Sequence, residues 1–522
     1  MSRSPTKRIL DHSGIHTHTH THTHTNAMSK RPAQDDELTS PQALKAGERP
    51  VADAGVADGE DFEDEFDDEF ESEDEILEAG VDGRPDEERE AEQAEGGAMD
   101  VDKETFIPGR HKLDANQTLS PDLSTYEMLH SLETTWPCLS FDVVRDQLGD
   151  DRKSYPATVY AVAGTQAAQG RERENQLMVM KLSGLSRNDE AQNQDSAEES
   201  DDEDQDDDAI LETKSVPLPS TTNRIRAHQS PQASSSAPPT TLTASMLENG
   251  EVLIHDVTPH LTAFDTPGFT IPANANKPLS TIRAHKGVEG YALDWSPLIP
   301  GGKLLTGDAS GKIFATTRTE GGGFVTDTNP FTGHTSSVEE LQWSPNERNV
   351  FASGSADGTV KIWDARSKSR SPAVSVQVSQ SDVNVLSWST LTPHLLASGH
   401  DDGSFAIHDL RAWKNPATAN NAKPVAAFDF HKEQITSLEW HPTDDSILSV
   451  CAGDDTLTLW DLAVELDDEE SKYTADVKDV PPQLLFVHYM EMVKESHWHP
   501  QIPGVMLATG GSGLGVFRTI SV

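Results

Sequence analysis

Histidine and carboxylate side chains are the ones best suited to acid–base and metal chemistry. This sequence has 21 histidines and 88 acidic residues in 522. Their spacing decides what they can do. His334 lies nine residues before Trp343 and 29 before Trp363, with Ser355 and Asp357 between. His431, Trp440, Asp454 and Trp460 repeat that ruler. A buried polar group must find partners, so a fixed set of His, Ser, Asp and Trp predicts a buried hydrogen-bond network in which each residue constrains the others. His334, Ser355, Asp357 and Trp363 form the full set. In the copy built on His431, Asp454 and Trp460, Ala452 stands where the serine should be, which predicts a shorter network.

Catalytic signatures are missing. There is no GxGxxG leading into a helix, no P-loop, no GxSxG and no HExxH. The carboxylates fall mostly in runs with no apolar pocket to perturb them. We therefore assign no catalytic residue, no cofactor and no metal ligand. The tract Thr17–Thr25, THTHTHTHT, could bind a metal on composition. It is also what a dinucleotide repeat would encode, and residues 1–27 are set aside as leader or artefact.

The elements that position these residues come from the wider repeat. Trp388 lies twenty residues before His408-Asp409, as Trp343 does before Trp363-Asp364. Asn249-Gly250 precedes His255 by the interval that separates Asp357 from Trp363, and looser copies pair His285 with Trp295 and His488 with Trp498. β-rich runs broken by Asp-Gly and Ser-Gly turns separate these landmarks. A period of roughly 45 residues with four short strands per unit is the pattern of WD repeats. The sequence resembles a seven-bladed WD-repeat β-propeller of the all-β class. The first blade is expected at Tyr155–Leu182. The others centre on His255, Trp295, Trp343, Trp388, Trp440 and Trp498. Leu139–Val144 would complete the last blade and close the ring. The third blade has Asp308 and Thr316 at the Ser and Trp positions, so no network is expected there. The last blade lacks the turn Asp in GGSGLGVFRTI.

Outside the repeat the chain is acidic. The formal net charge is −47, which speaks against nucleic-acid and anionic-membrane surfaces and favours a basic partner. Residues 28–115 carry a disorder composition. Within them Glu60–Glu75 has twelve acidic residues in sixteen, starting Glu60, Asp61 and ending at Glu75. Phe62, Phe66 and Phe70 are four apart and would share one helical face if this stretch folded on a partner. The propeller with its N-terminal helix is expected over 116–522, interrupted by acidic insertions at 184–220 and 464–482. The first holds Glu199, Asp201, Asp202, Glu203 and Asp208; the second holds Asp467, Asp468, Glu469 and Glu470. Ser72, Ser196 and Ser200 each precede an acidic residue by three, a casein-kinase-two-like pattern. Cys138 and Cys451 are too few for a disulfide framework, which suggests a reducing compartment. No apolar run reaches membrane-spanning length.

Ahead of the first blade, a Pro near the start and Tyr126, Leu129 and Leu132 at helical spacing predict an amphipathic helix over Pro121–Glu133, followed by a strand over Trp136–Val144. "YEMLHSLETTWPCLSFDVV", together with an acidic loop ending in Pro481-Pro482, resembles the WD-repeat histone-binding family that includes the small subunit of chromatin assembly factor one. That resemblance implies a clamp on a basic client, with Tyr126, Leu129 and Leu132 on the helix side and Asp467–Glu470, Pro481 and Pro482 on the loop side. "WPCLSFDVVRDQLGDDR", "YPATVYAVAGTQA" and the ending "FRTISV" are similar to the glutamate-rich branch of the family. This branch implies a monomeric, nuclear and nucleolar chaperone, with some cytoplasmic capture of new client. The client would be the basic large-subunit ribosomal protein L-three, delivered to pre-60S particles. Two other functions fit less of the sequence. A histone chaperone would also use the clamp. A substrate receptor of a cullin-four ubiquitin ligase would use Trp363-Asp364-Ala365-Arg366, with a partial second copy ending in Arg411.

Overall fold

Ladders of four short antiparallel strands recur seven times in a computed structural model that describes residues 119–188, 209–230, 240–414, 423–464, 480–511 and 513–522. The ladders are the blades of a seven-bladed β-propeller. Their inner strands are Cys138–Val144, Thr222–Gln229, Leu293–Trp295, Val338–Trp343, Val383–Trp388, Ile435–Trp440 and Glu495–Trp498, in blade order. These strands pack side by side around the centre. Blade three carries a fifth short strand, Phe331–Thr332.

Seven apolar clusters fill the seven interfaces between neighbouring blades. Trp363, Phe351 and Phe331 are fully buried between blades three and four, and Trp460 with Phe405 between blades five and six. Each such side chain contributes about 1.5–3 kcal/mol through burial, so no single interface carries the ring.

Polar links join the inner strands head to tail. The residue before an inner tryptophan accepts the backbone amide of the next blade's tryptophan. Asp294 takes Trp343 at 2.7 Å, Gln342 takes Trp388 at 2.7 Å, Ser387 takes Trp440 at 3.2 Å and Glu439 takes Trp498 at 3.2 Å. Asp142 of blade one likewise accepts the Ala227 amide of blade two at 2.7 Å.

Three expectations need correction. No helix forms over Pro121–Glu133. Asp122 caps a single 3-10 turn, Leu123–Thr125, and the chain is then extended over Tyr126–Glu133, paired antiparallel with Gly513–Thr519. The helical spacing has another cause. A bulge between Tyr126 and Met128 shifts the alternation by one residue, so Tyr126 and Leu129 share one side of a strand. Second, this strand, and not Leu139–Val144, is the outermost strand of blade seven and closes the ring. Cys138–Val144 is the inner strand of blade one. Third, the insertion after blade one ends earlier than expected, because Ile210–Pro217 is that blade's fourth strand. Its mostly exposed, polar sequence carries little strand signal, as suits an outer edge. The single α-helix among the described residues is Thr258–Asp265 in blade two, with Pro259 in its first turn.

Candidate functional site

A groove of about 300 Å³ opens at the rim where blades six and seven meet. One wall is the Tyr126–Glu133 strand with Leu119 and Pro121 before it; the other is the run His488–Glu491 at the end of the outer strand of blade six, Leu484–Tyr489. Tyr126 is buried, its ring edge-on to Phe486 and Phe517. Its hydroxyl lies 2.8 Å from Nδ1 of His488. Burial lowers the His488 imidazole to about 4 and raises the Tyr126 phenol. Both are neutral at physiological pH, so the two groups share a neutral buried hydrogen bond. Leu129 is half-buried and faces the groove, while Leu132 is buried in the cluster between blades seven and one. Exposed Glu133 and Glu491 stand at the mouth, beside Met490 and partly exposed Tyr489. The groove thus has an apolar floor and an acidic rim.

The outer edge of the Tyr126–Glu133 strand is partly covered. Asn188 donates from its side chain to the Tyr126 carbonyl at 3.2 Å and from its backbone to the Glu127 carbonyl at 3.0 Å, and accepts the Leu129 amide at 3.3 Å. His130 Nε2 meets the Ser186 carbonyl at 2.9 Å. Ser186–Asn188, the first residues after the strand Gln176–Leu185, therefore pair with the Tyr126 strand at the start of the acidic insertion. Asn188 escaped the sequence reading, and His488 entered it only as a blade landmark paired with Trp498. Neither carries a motif: His488 matched a blade ruler it does not serve, and Asn188 precedes an acidic run.

Pro481 and Pro482 are described and half-buried, but they do not line this groove. They lie just ahead of the outer strand of blade six, whose length of about 20 Å separates them from His488–Glu491. The base of the loop there is stapled by the Gln483 side chain donating to the Val464 carbonyl at 3.0 Å and the Asp461 amide donating to the Gln483 carbonyl at 2.8 Å. Asp467, Asp468, Glu469 and Glu470 lie outside the described residues, as do Glu60, Asp61, Phe62, Phe66, Phe70, Glu75, Glu199, Asp201, Asp202, Glu203, Asp208 and the three serines Ser72, Ser196 and Ser200.

The histidine networks depart from expectation in three places. In blade four Ser353, not Ser355, links the chain. Trp363 Nε1 donates to Ser353 Oγ at 2.8 Å, Ser353 lies 2.6 Å from His334 Nε2, and His334 Nδ1 donates to Asp357 at 2.9 Å. Ser355 and Ser353 share a strand face, and the indole reaches the nearer one. In blade six the network is complete without a serine. Thr458, on the same strand as Trp460, accepts Trp460 Nε1 at 2.8 Å and meets His431 Nε2 at 3.0 Å, while His431 Nδ1 faces Asp454 at 3.2 Å. Blade three has a network after all: His285 meets Asp308 and Thr306, each at 2.8 Å. Asp308 occupies the turn-Asp position, 23 residues after the histidine as in blade four. The missing tryptophan removes only the last link. Burial works against the charge on Asp357, but His334, Thr359 and backbone donors hold its carboxyl well below the usual range. Burial keeps His334 neutral. These histidines are committed to structure.

Two family profiles match the chain. The profile for the histone-binding protein RBBP4, or the equivalent component of the CAF1 complex, matches residues 116–186, which hold the Tyr126 strand and most of blade one. WD domain, G-beta repeat, matches 326–364 and 422–461. The chain is 43% identical over 498 residues to ribosome assembly protein rrb1 of Schizosaccharomyces pombe, covering 95% of this chain and 100% of that one. It is 40% identical over 462 residues to protein HEAT STRESS TOLERANT DWD 1 of Arabidopsis thaliana, covering 83% and 95%. It is 39% identical over 433 residues to glutamate-rich WD repeat-containing protein 1 of Dictyostelium discoideum, covering 80% and 85%. Similarity at this level along nearly the whole chain, on a seven-bladed propeller, leads to one conclusion: the chain belongs to the glutamate-rich WD-repeat family that contains these relatives.

Proposed function

We propose that this chain is a non-enzymatic ribosome-assembly factor that holds a basic ribosomal protein until it joins the large subunit. The observation that carries the reading is the similarity to a ribosome assembly protein over 95% of this chain and all of that one. The finer assignment is ribosomal protein L-three as client and the pre-60S particle as destination, with residence in the nucleus and nucleolus. The net charge of −47 supports a strongly basic partner. The groove beside Tyr126 and Leu129 supplies an apolar grip that charge alone does not. Asp467–Glu470, with Pro481 and Pro482 at the base of their loop, would act from the opposite end of blade six's outer strand. Glu60–Glu75 and Glu199–Asp208 would screen the client's lysines and arginines.

The test is a native pull-down of the tagged chain from cells at two salt concentrations, read by mass spectrometry. One near-stoichiometric basic ribosomal protein retained at the higher salt is the expected result. Core histones with nucleosome-assembly factors would replace this reading by a chromatin one. A ladder of basic proteins that vanishes at the higher salt would leave only an unspecific polyanion.

A ligase-receptor role has one feature in its favour. Arg366 and Arg411 are exposed and take the same posture, each folded back on its own Asp364 or Asp409 at the end of a third strand. Loss of a ligase adaptor from the Arg366→Ala/Arg411→Ala variant, with the ribosomal client retained, would add that role.

A further inference from the structure

Six of the seven blade-to-blade joints differ from the seventh in one respect. Elsewhere each blade's four strands are consecutive in the chain. Blade seven is assembled from both ends: Glu495–Trp498, Val505–Thr509 and Gly513–Thr519 come from the C-terminal end, and Tyr126–Glu133 from the start of the propeller. The ring is therefore closed without a covalent link, between those three strands on one side and the Tyr126 strand with blade one on the other. On the outside the closure is the ladder between Tyr126–Glu133 and Gly513–Thr519.

On the inside the closure is a charged cluster centred on Glu495. This carboxylate is 1% exposed. It accepts the Phe141 amide of blade one at 2.8 Å, Arg224 of blade two at 2.9 Å and Arg226 of blade two at 2.8 Å. Arg224 continues across the centre to Glu340 of blade four at 3.1 Å. His497, two residues after Glu495, faces Glu439 of blade six at 3.0 Å. The head-to-tail rule changes here. At four other joints the residue before the tryptophan accepts the next amide; at this joint Glu495, three before Trp498, does so and adds two guanidinium groups. Across the joint that lacks covalent continuity Glu495 gathers three charge-assisted bonds, one from blade one and two from blade two.

We infer that the joint between blades seven and one is the ring's releasable seam, latched from the inside by Glu495 and from the outside by the Tyr126–Glu133 strand. The outer latch is also a wall of the rim groove, so opening the seam dismantles that groove. Removing Glu495's charge takes away the carboxylate hydrogen-bonded to Arg226 and leaves that guanidinium bonded to Ser140 and backbone carbonyls, with Asp142 and Glu340 still attracting it through space. Breaking a largely buried ion pair is costly, and the cost falls on this seam.

Amide hydrogen exchange on the full chain at neutral pH tests the inference. It compares the parent protein with Glu495→Gln and with Asp294→Asn, which alters the corresponding amide acceptor at the joint of blades three and four. In Glu495→Gln the amides of Phe141, Tyr126–Glu133 and Gly513–Thr519 are expected to exchange about ten- to a hundredfold faster, the loss of one charge-assisted bond. Those of Val338–Trp343 should keep their protection. If Glu495→Gln does not fold, Glu495→Asp reads the same joint, since it is one methylene too short to hold Phe141 and both arginines together. Faster exchange spread evenly over all seven blades, no change at the seam, or the same seam opening in Asp294→Asn would each overturn the inference.

Discussion

The Tyr126 hydroxyl lies 2.8 Å from His488 Nδ1 and ties the outermost strand of blade seven to that of blade six. The pair forms the floor of the rim groove and holds its two walls in register. Tyr126→Phe keeps the ring and its contacts with Phe486 and Phe517 but leaves a buried imidazole nitrogen without its hydrogen-bond partner. A loss of about 1–2 kcal/mol is expected. Tyr126→Ala opens a cavity as well, and a loss of about 3–5 kcal/mol is expected. Urea denaturation monitored by tryptophan fluorescence would measure both. Equal costs for the two variants would mean that the hydroxyl, not the ring, holds the site.

The blade-four network separates two serines that the repeat pattern could not. Ser353 Oγ serves both Trp363 Nε1 and His334 Nε2, so Ser353→Ala strands two buried groups, and a cost of about 2–3 kcal/mol is expected. Ser355 Oγ accepts only the Asp357 amide at 3.2 Å and reaches the Ser336 carbonyl at 3.5 Å. Ser355→Ala should cost about 0.5–1 kcal/mol. The shift of the denaturation midpoint in the two variants gives the comparison; a larger shift for Ser355→Ala would restore the serine assigned from spacing.

Much of the ring was legible because it repeats. Trp343, Trp440, His334 and His431 occur at one spacing, and one period implies one four-stranded unit. What failed was local. The helical spacing of Tyr126, Leu129 and Leu132 is compatible with a bulged strand, and a bulge leaves no mark in the sequence. Thr458 replaces a serine from a different strand of the same blade, so a motif aligned by position shows a gap where the fold has none. The acceptors Asp294, Gln342, Ser387 and Glu439 sit in one place, just before each inner tryptophan, yet differ in residue type; only the amide they receive reveals the shared role. Glu495 breaks even that register. Its partners Phe141, Arg224 and Arg226 are several hundred residues away in the chain, a distance no periodicity bridges.

The central cluster predicts how stability depends on pH. Burial opposes the charge on His497, but Glu439 and Glu495 outweigh it and raise the imidazole from 6.5 to about 10. Asp142 and Arg226 also face this group. A folded pKa above the unfolded one means that the stabilisation is whole below pH 6.5 and is lost as pH rises through about 10. Asp294 acts in the same direction. Burial raises its carboxyl from 3.8 to about 8, so between these values the folded chain keeps a proton that the unfolded chain gives up. The unfolding midpoint should fall steadily from pH 7 to 10, and His497→Gln should flatten the part between pH 8 and 10. Parallel pH profiles for the parent and His497→Gln would show that the imidazolium does not hold this cluster.

The acidic segments should govern how a basic client is bound, not whether the propeller folds. Glu60–Glu75 and Glu199–Asp208 together place twenty carboxylates, twelve and eight, beyond the described strands. Deleting the first and replacing the acidic residues of the second by Asn and Gln should leave the unfolding midpoint unchanged. Client binding should weaken at low salt, and the difference from the parent should shrink as salt rises. Raising salt from ~0.15 M to ~1 M shortens the screening length from about 8 Å to about 3 Å, which removes long-range attraction but spares contact in a groove. Binding that survives at high salt should then depend on Leu129 and Tyr126, and Leu129→Asp in the charge-depleted chain should abolish it. A titration of the purified ribosomal protein at the two salt concentrations reads all of this. If the charge-depleted chain binds as tightly as the parent at both, the acidic segments have no part in holding the client.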